Sequence, residues 1–314
     1  MILVAGGTGR LGALVVRRLA ARDEPVRVLT RDTTRVADLT ALPARAQVDV
    51  VAGDVRDRNS LTPAVAGTRV VVSAVHGFAG LGRVTPASVD RDGNANLVDA
   101  ARAAGAAVVL MSVVGASAEH PMDLFRMKAA AEDNLRRSGI PWTIVRSTAF
   151  AELYVDLTRQ TAGRSGRPLV FGRGENPINF VSVEEVAAAV ESAVHNDGFR
   201  GRVLEIGGPR NMTLNEIAGL AQQQLGSSGR RPRHVPRLVL RALAAKGRLA
   251  PSTLARQAQA ALIMDTTDMT FHAKPLDLGL PGSTSAQHAG PQGRASPWQT
   301  ASTLLPSRSR MNTP

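Results

Sequence analysis

Short apolar runs alternate with segments of helical period through the first half of the chain. The runs ILVAG (2–6), VRVLT (26–30), VDVVAGD (48–54), RVVVSAV (69–75) and AAVVLMS (106–112) are β-branched or wholly apolar, as strands buried on both faces of a parallel sheet should be. Between them, RLGALVVRRLAAR (10–22), RVADLTAL (35–42), SLTPAVAG (60–67) and SVDRDGNANLVDAARAAG (88–105) carry helical spacing. Strands that alternate with helices predict an α/β fold, a doubly wound parallel sheet with helices on both faces.

The alternation continues with a helix in DLFRMKAAAEDNLRRSG (123–139), stopped at Gly139, and a strand in PWTIVRS (141–147). A glycine-rich loop follows (163–177), then a helix in 181–197, a strand in 201–208 and a helix in 213–226. The pattern predicts a larger α/β domain over 1–150 and a smaller C-terminal portion over 151–279, packed over the carboxyl edge of the sheet. From about residue 280 the chain is rich in Ser, Pro, Gly, Thr and Gln without apolar period. Such a stretch has too little apolar surface to offset its chain entropy, so 280–314 is expected to be disordered.

Charge modifies this picture in one region. Of the net +12, eight charges (Arg230, Arg231, Arg233, Arg237, Arg241, Lys246, Arg248, Arg256) fall between Gly226 and Met264, where no acidic residue stands, and this leaves +4 for the rest of the chain. Leu238, Leu240, Leu243, Leu249 and Leu254 recur there at helical spacing, which predicts amphipathic helices with a solvated basic face. An acidic protein partner, a membrane surface and nucleic acid are the less favoured readings. No apolar run reaches the roughly 18 residues of a membrane span, and MILVAGG enters a glycine turn with no basic leader before it. A cytoplasmic protein is expected. The chain has no cysteine, and its six histidines are scattered, so disulfides and thiolate chemistry are excluded and no metal site is predicted.

The strongest chemical signal is VAGGTGRLG (4–12), at the junction of the first strand and first helix. Gly7, Gly9 and Gly12 fit G-x-G-x-x-G, and Gly6, Gly9 and Gly12 fit a second glycine spacing. Such a loop lets the backbone of Gly6, Gly7, Thr8, Gly9, Arg10, Leu11 and Gly12 approach a pyrophosphate at a helix N-terminus. The second strand ends LTRD. Arg31, with Arg35 or Arg10 in support, suits the 2′-phosphate of NADP; Asp32 directly after it keeps NAD open. Asp54 and Val55 end the third strand, where Asp54 either accepts from the adenine amino group or caps the next helix. Ala74, Val75 and His76 end the fourth, where small residues let backbone run along the ribose. His76 either faces the nicotinamide or the substrate, or is a surface loop histidine.

With GGTGRLG, LTRD, GDV, VDRDGNANLVDAARAAG, MSVVGA and FRMKAAAEDNLRRSGIPWTIVRSTAF in register, the chain resembles the atypical short-chain dehydrogenase/reductases, in particular the NmrA-like, NAD(P)H-binding branch that includes quinone reductases and redox-sensing regulators. The resemblance spans roughly residues 1 to 225, with 275 as its wider bound. It implies a Rossmann-type domain in which Lys128 binds the nicotinamide ribose and Ser112 lies near the superfamily's active-site serine. It also implies that STAFAEL (147–153) turns over the nicotinamide, bringing Thr148 and Phe150 to that ring, with Phe150 in the core as the alternative, and Tyr154 to the substrate cleft. The chain departs from the superfamily at the tyrosine four residues before the lysine, which is Leu124 here, followed by Phe125.

Neither side chain can transfer a proton. Three readings remain: hydride transfer to a quinone or similar acceptor that draws protons from water; proton donation by Lys128 itself; or cofactor binding without turnover, reported to a protein partner. The leading expectation is an NADPH-dependent oxidoreductase acting on a small molecule, in which Lys128 orients the ribose and Ser112 polarises the acceptor.

Overall fold

The computed structural model describes residues 1–35, 46–224, 226, 230–249 and 252–272. In chain order the elements are β1 (Ile2–Ala5), α1 (Arg10–Ala21), β2 (Val26–Thr30), β3 (Val48–Ala52), α2 (Arg58–Val65), β4 (Val70–Ser73), α3 (Asp92–Ala103), β5 (Ala107–Val113), α4 (Asp123–Arg137) and β6 (Trp142–Ser147). There follow β7 (Ala149–Phe150), α5 (Ala151–Ala162), β8 (Leu169–Phe171), β9 (Ile178–Val181), α6 (Val183–His195), β10 (Arg202–Ile206), β11 (Asn211–Met212), α7 (Leu214–Gln224), β12 (Arg233–Val235), α8 (Arg237–Leu249) and α9 (Thr253–Met264).

The central sheet has the order β10-β6-β5-β4-β1-β2-β3, and every pair in it is parallel. The strands are almost uniformly apolar because both faces are covered, and the pleat divides their side chains between two layers. Ile2, Val4, Val28, Val72 and Val109 pack against α1 and α6. Leu3, Ala5, Val71, Leu110 and Ile144 pack against α2, α3 and α4. The predicted Rossmann-type fold is present, and its strand order reverses between β1 and β4, where such sheets open a crevice at their carboxyl ends.

The chain crosses back into this sheet after the position at which the sequence suggested a boundary. β10 pairs with β6 from Arg202↔Thr143 to Ile206↔Ser147, and α6 joins α1 in one hydrophobic layer. The division at 150/151 is therefore not a division in packing. The smaller portion is discontinuous, built from α5, α7, α8 and α9 with the small sheets β11-β9-β7 and β12-β8. Its core gathers Met122 and Phe125 of the α4 region with Ile178, Phe180, Met212, Ile217, Ile263 and Met264.

Three further expectations change. The helix predicted over 88–105 is two elements, a π-helical turn Pro86–Arg91 running into α3. The basic segment does form two helices, but its apolar stripe is only partly covered: Leu240 is buried, whereas Leu238 is 73% and Leu254 58% exposed. Several of its arginines are also not merely solvated. Arg230 donates to Ser165 O, Arg233 to Thr161 O, Arg237 to the Asp265 carboxylate, and Arg256 to Phe78 O and Gly80 O. The helix expected over 35–42 and the tail over 280–314 lie, wholly or nearly so, outside the described residues.

Candidate functional site

The glycine loop owes its shape to two contacts that exclude any larger residue. Gly6 sits at φ +81°, a left-handed conformation that glycine adopts without cost, and a Cβ there would stand 2.9 Å from Ala74 O. At Gly12 a Cβ would meet Gly6 O at 2.1 Å. The first turn of α1 is thus pressed onto the loop, and its N-terminus has no side-chain cap and no acidic residue. Unpaired backbone N–H groups and the positive end of the helix dipole are left facing the carboxyl edge of the sheet, which suits a phosphate.

A cavity of about 460 Å³ opens there, lined by Gly6, Thr8 and Gly9, by Thr30 at the end of β2 and Arg31, Asp32 and Arg35 beyond it, by Gly53, Asp54 and Val55 after β3, and by Ala74, Val75 and His76 after β4, with Leu29, Val84 and Val89 completing it. Ten of these residues were predicted from sequence: Gly6, Thr8, Gly9, Arg31, Arg35, Asp54, Val55, Ala74, Val75 and His76. Ends of four consecutive strands of the sheet converge on one crevice, and this explains why residues distant in sequence meet.

At the β2 end, the Thr34 hydroxyl and amide both donate to Asp32 Oδ1, and they hold its carboxyl below the ordinary aspartate range. Asp54 takes a two-pronged contact from Arg56, Nε at 3.0 Å and Nη2 at 2.6 Å. That contact lowers its pKa, against the cost of partial burial, with a smaller contribution from the Arg31 charge. Arg31 and Arg35 are solvent-exposed.

At the β4 end the charges are buried. Lys128, 4% exposed, approaches Asp90 Oδ1 at 2.9 Å and donates to Met111 O at 3.0 Å and Val75 O at 3.2 Å. Asp90 is 0% exposed, and its other oxygen accepts the Gly77 N–H at 2.8 Å. Asn94 ties this cluster to the sheet by donating to Asp90 O, while the Ser73 hydroxyl lies 2.5 Å from its side-chain oxygen. The pKa of His76 falls below the usual histidine value chiefly by desolvation; the Asp90 charge opposes the shift and the Lys128 charge adds to it.

Several predicted residues are placed elsewhere. Gly7, Leu11 and Gly12 serve the loop and the packing of α1, and are not among the residues lining the cavity. Arg10 turns away from the β2 end and pairs with Asp156 of α5 at 2.5 Å. Ser112 is 3% exposed, and its hydroxyl donates at 2.5 Å to Glu132 of α4, which also receives Arg146 and Arg136. Position 112 alternates along β5 with Met111, so its side chain faces α4 and not the crevice. Thr148 contacts Asn179 Oδ1 and Phe150 packs against the α1–α6 layer. The Tyr154 hydroxyl meets Met264 Sδ at 3.1 Å, its ring lies edge-on to Phe180 at 5.1 Å, and apolar burial pushes its pKa up.

Asp90 was missed in the sequence, where it stands as one acid within VDRDGN. The available signal was local: Thr85, Pro86 and Ser88 make a capping box with proline at the first position, which fixes a helix start upstream of Asp90 and turns it inward. Among the described residues no helix is long and apolar enough to cross a membrane, and no group of acids and histidines could hold a metal ion.

Comparison with known proteins agrees with this architecture. The chain is 29% identical over 231 residues to the NAD(P)H azoreductase of Xenophilus azovorans, an alignment covering 72% of this chain and 74% of that one. An NADPH-dependent quinone oxidoreductase from Escherichia coli, solved with NADPH, superposes with a TM-score of 0.67 at 21% identity over 86% of this chain and 91% of its own. The Citrobacter triphenylmethane reductase complexed with NADP(H) superposes with a TM-score of 0.69 at 22% identity over 89% and 94%. The family model for NmrA-like proteins matches residues 1–264, and the chain belongs to the NmrA-like family.

Proposed function

We propose that this protein is an NADPH-dependent oxidoreductase that reduces a small acceptor, such as a quinone or an activated carbonyl or alkene. The observation that carries the reading is the crevice itself, in which one 460 Å³ cavity runs from the cations Arg31 and Arg35, past the glycine loop, to Val75 and His76. The residues fit a dinucleotide. The uncapped α1 N-terminus and the bare Gly6 and Gly9 backbone would take the pyrophosphate, Arg31 and Arg35 the 2′-phosphate, and the Ala74–His76 backbone the nicotinamide side. When bound, reduced nicotinamide supplies the hydride.

What the site lacks supports this acceptor class. Leu124 stands where a proton-donating tyrosine would precede Lys128, Phe125 beside it is buried, and the Tyr154 hydroxyl is committed to Met264. A quinone suits such a site because its reduction can draw protons from water. Names carried by relatives and structural neighbours, an azoreductase, a quinone oxidoreductase and a triphenylmethane reductase, point to the same kind of conjugated acceptor.

The test is anaerobic turnover of NADPH and NADH with a panel of quinones, azo dyes and enones. Consumption above background with NADPH preferred is the expected result. Tight NADPH binding without consumption for any acceptor would instead favour a protein that senses the cofactor.

A further inference from the structure

We propose that Asp90 is a positioning residue of this site: with Lys128 it closes a buried latch that fixes the Val75–Gly77 backbone at the mouth of the cavity, and Lys128 works through that latch and gives no proton to the acceptor. The inference rests on the reductase reading and assigns parts within it.

Lys128 donates to two carbonyls, Met111 O and Val75 O, and its ammonium forms an ion pair with Asp90 Oδ1. The carbonyls belong to the ends of neighbouring strands, so the side chain joins the exit of β4 to β5. Asp90 completes the circuit from the other side, because its second oxygen holds the Gly77 N–H. The stretch between these two anchors, Val75 to Gly77, includes the part of the cavity wall formed by Val75 and His76.

The backbone around Asp90 is shaped for this task. A π-helical turn, Pro86–Arg91, carries it, and such wide turns within helices are frequent at functional sites. A buried carboxylate, here 0% exposed, needs a compensating charge; one Asp90 oxygen lies 2.9 Å from the Lys128 ammonium without a hydrogen bond, and the other accepts the Gly77 N–H. Gly77 is held equally tightly, since a Cβ there would stand 2.2 Å from Thr85 O just before the π turn. Lys128 is therefore buried and charge-compensated, which are poor attributes for a group that must release a proton and retrieve it. His76, on the same cavity wall, is the titratable side chain on which the two charges act in opposite senses.

Full-length Asp90→Asn and Lys128→Met variants test this, with NADPH affinity by fluorescence, steady-state kinetics at saturating NADPH, and the titration of His76 by NMR, its signal identified by loss in His76→Asn. Each variant is expected to weaken NADPH binding by about tenfold while the turnover rate stays within about threefold of wild type. The double variant should bind no more weakly than the worse single variant, as for residues acting as a unit. The His76 titration should move to lower pH in Asp90→Asn and to higher pH in Lys128→Met, a pair of opposite shifts that mere loosening of the fold does not give.

A turnover rate reduced by roughly two orders of magnitude or more in Lys128→Met, with NADPH affinity unchanged, would make Lys128 the proton donor and overturn the proposal. So would unchanged affinity and an unmoved His76 titration in Asp90→Asn. If Lys128→Met does not fold, the near-isosteric Asp90→Asn carries the test. A wild-type protein that binds NADPH but consumes none would overturn the reductase reading separately, because affinity and the His76 shifts are read without turnover.

Discussion

The α4 side of the molecule and the β2 end of its cavity carry the same kinds of charged residue and use them in opposite ways. On α4, Lys128 and Glu132 are buried and fully partnered, Lys128 with Asp90, and Glu132 with Ser112, Arg136 and Arg146. At the β2 end, Arg31 and Arg35 lie in solvent on the cavity rim. Burial sets the difference. A partnered charge in the interior holds structure and is costly to orphan, whereas a charge in water contributes little to folding and is available to a ligand.

Glu132→Ala puts the buried side of this contrast under the greatest stress. It would leave Arg146 and Arg136 facing an empty site and Ser112 without its acceptor, and breaking a buried pair in this way costs roughly 3–5 kcal/mol. Urea denaturation should show a lowered midpoint at unchanged slope. The pH dependence has a definite sign. Desolvation is the largest influence on the Glu132 carboxyl and raises its pKa, but the bonds from Arg146 and Ser112 and the charges of Arg146 and Arg136 together outweigh it, so the folded value lies below the ordinary glutamate range. Its contribution is present above the unfolded pKa and is lost as pH falls through the folded one. Acid unfolding of the wild type should therefore be steeper than that of Glu132→Ala.

Second in size is Gly12→Ala, which joins the two regions through the glycine loop. A Cβ at 2.1 Å from Gly6 O and 2.8 Å from Gly7 Cα has only backbone to displace, and such overpacking costs about 1–3 kcal/mol. Thermal denaturation should register that loss. NADPH affinity should fall further than stability does, because the shift moves the helix N-terminus away from the phosphates.

What the sequence disclosed follows the same line between local and long-range causes. The parallel strands from β1 to β6 and the glycine loop were legible because each is encoded by contiguous residues: unbroken apolar runs, and glycines at fixed spacing. The strands β7, β9 and β11 were not. They have two to four residues and exist through pairings such as Ala149↔Phe180 and Met212↔Ile178, which no local pattern announces. Ser112 shows the same limit. The resemblance placed it near the superfamily's active-site serine, but its hydroxyl is taken by Glu132, twenty residues away on the next helix. Lys128 was singled out in the sequence and its partner Asp90 was not, since a salt link across 38 positions of chain leaves no periodic trace.

Third is Arg31→Ala, which isolates the solvent end. A charge-assisted contact to a phosphate is worth about 1.5–3 kcal/mol when made, and solvent screening places this exposed residue at the lower end of that range. NADPH affinity should fall by roughly tenfold, with NADH affinity little changed and the denaturation midpoint unmoved. Equal losses for the two nucleotides would remove Arg31 from the 2′-phosphate site and leave Arg35 to carry it.

The mildest change concerns Arg10 and Asp156, an ion pair that joins the start of α1 to α5 across 146 positions of chain. Its geometry is close, at 2.5 Å, but both side chains are more than a third exposed, so the pair should contribute no more than about 1 kcal/mol and lose most of that in high salt. Asp156→Asn should leave the denaturation midpoint nearly unchanged. Its effect on cofactor affinity depends on what it frees: Arg10 sits on the first turn of α1, next to the phosphate-facing N–H groups, and without its partner it can turn toward an anion there. NADPH affinity in Asp156→Asn should therefore rise by a few-fold at low ionic strength and return to the wild-type value as salt is added. A fall in affinity would show that the pair fixes the loop and does not restrain Arg10, which would move this exposed contact into the same class as the buried ones on α4.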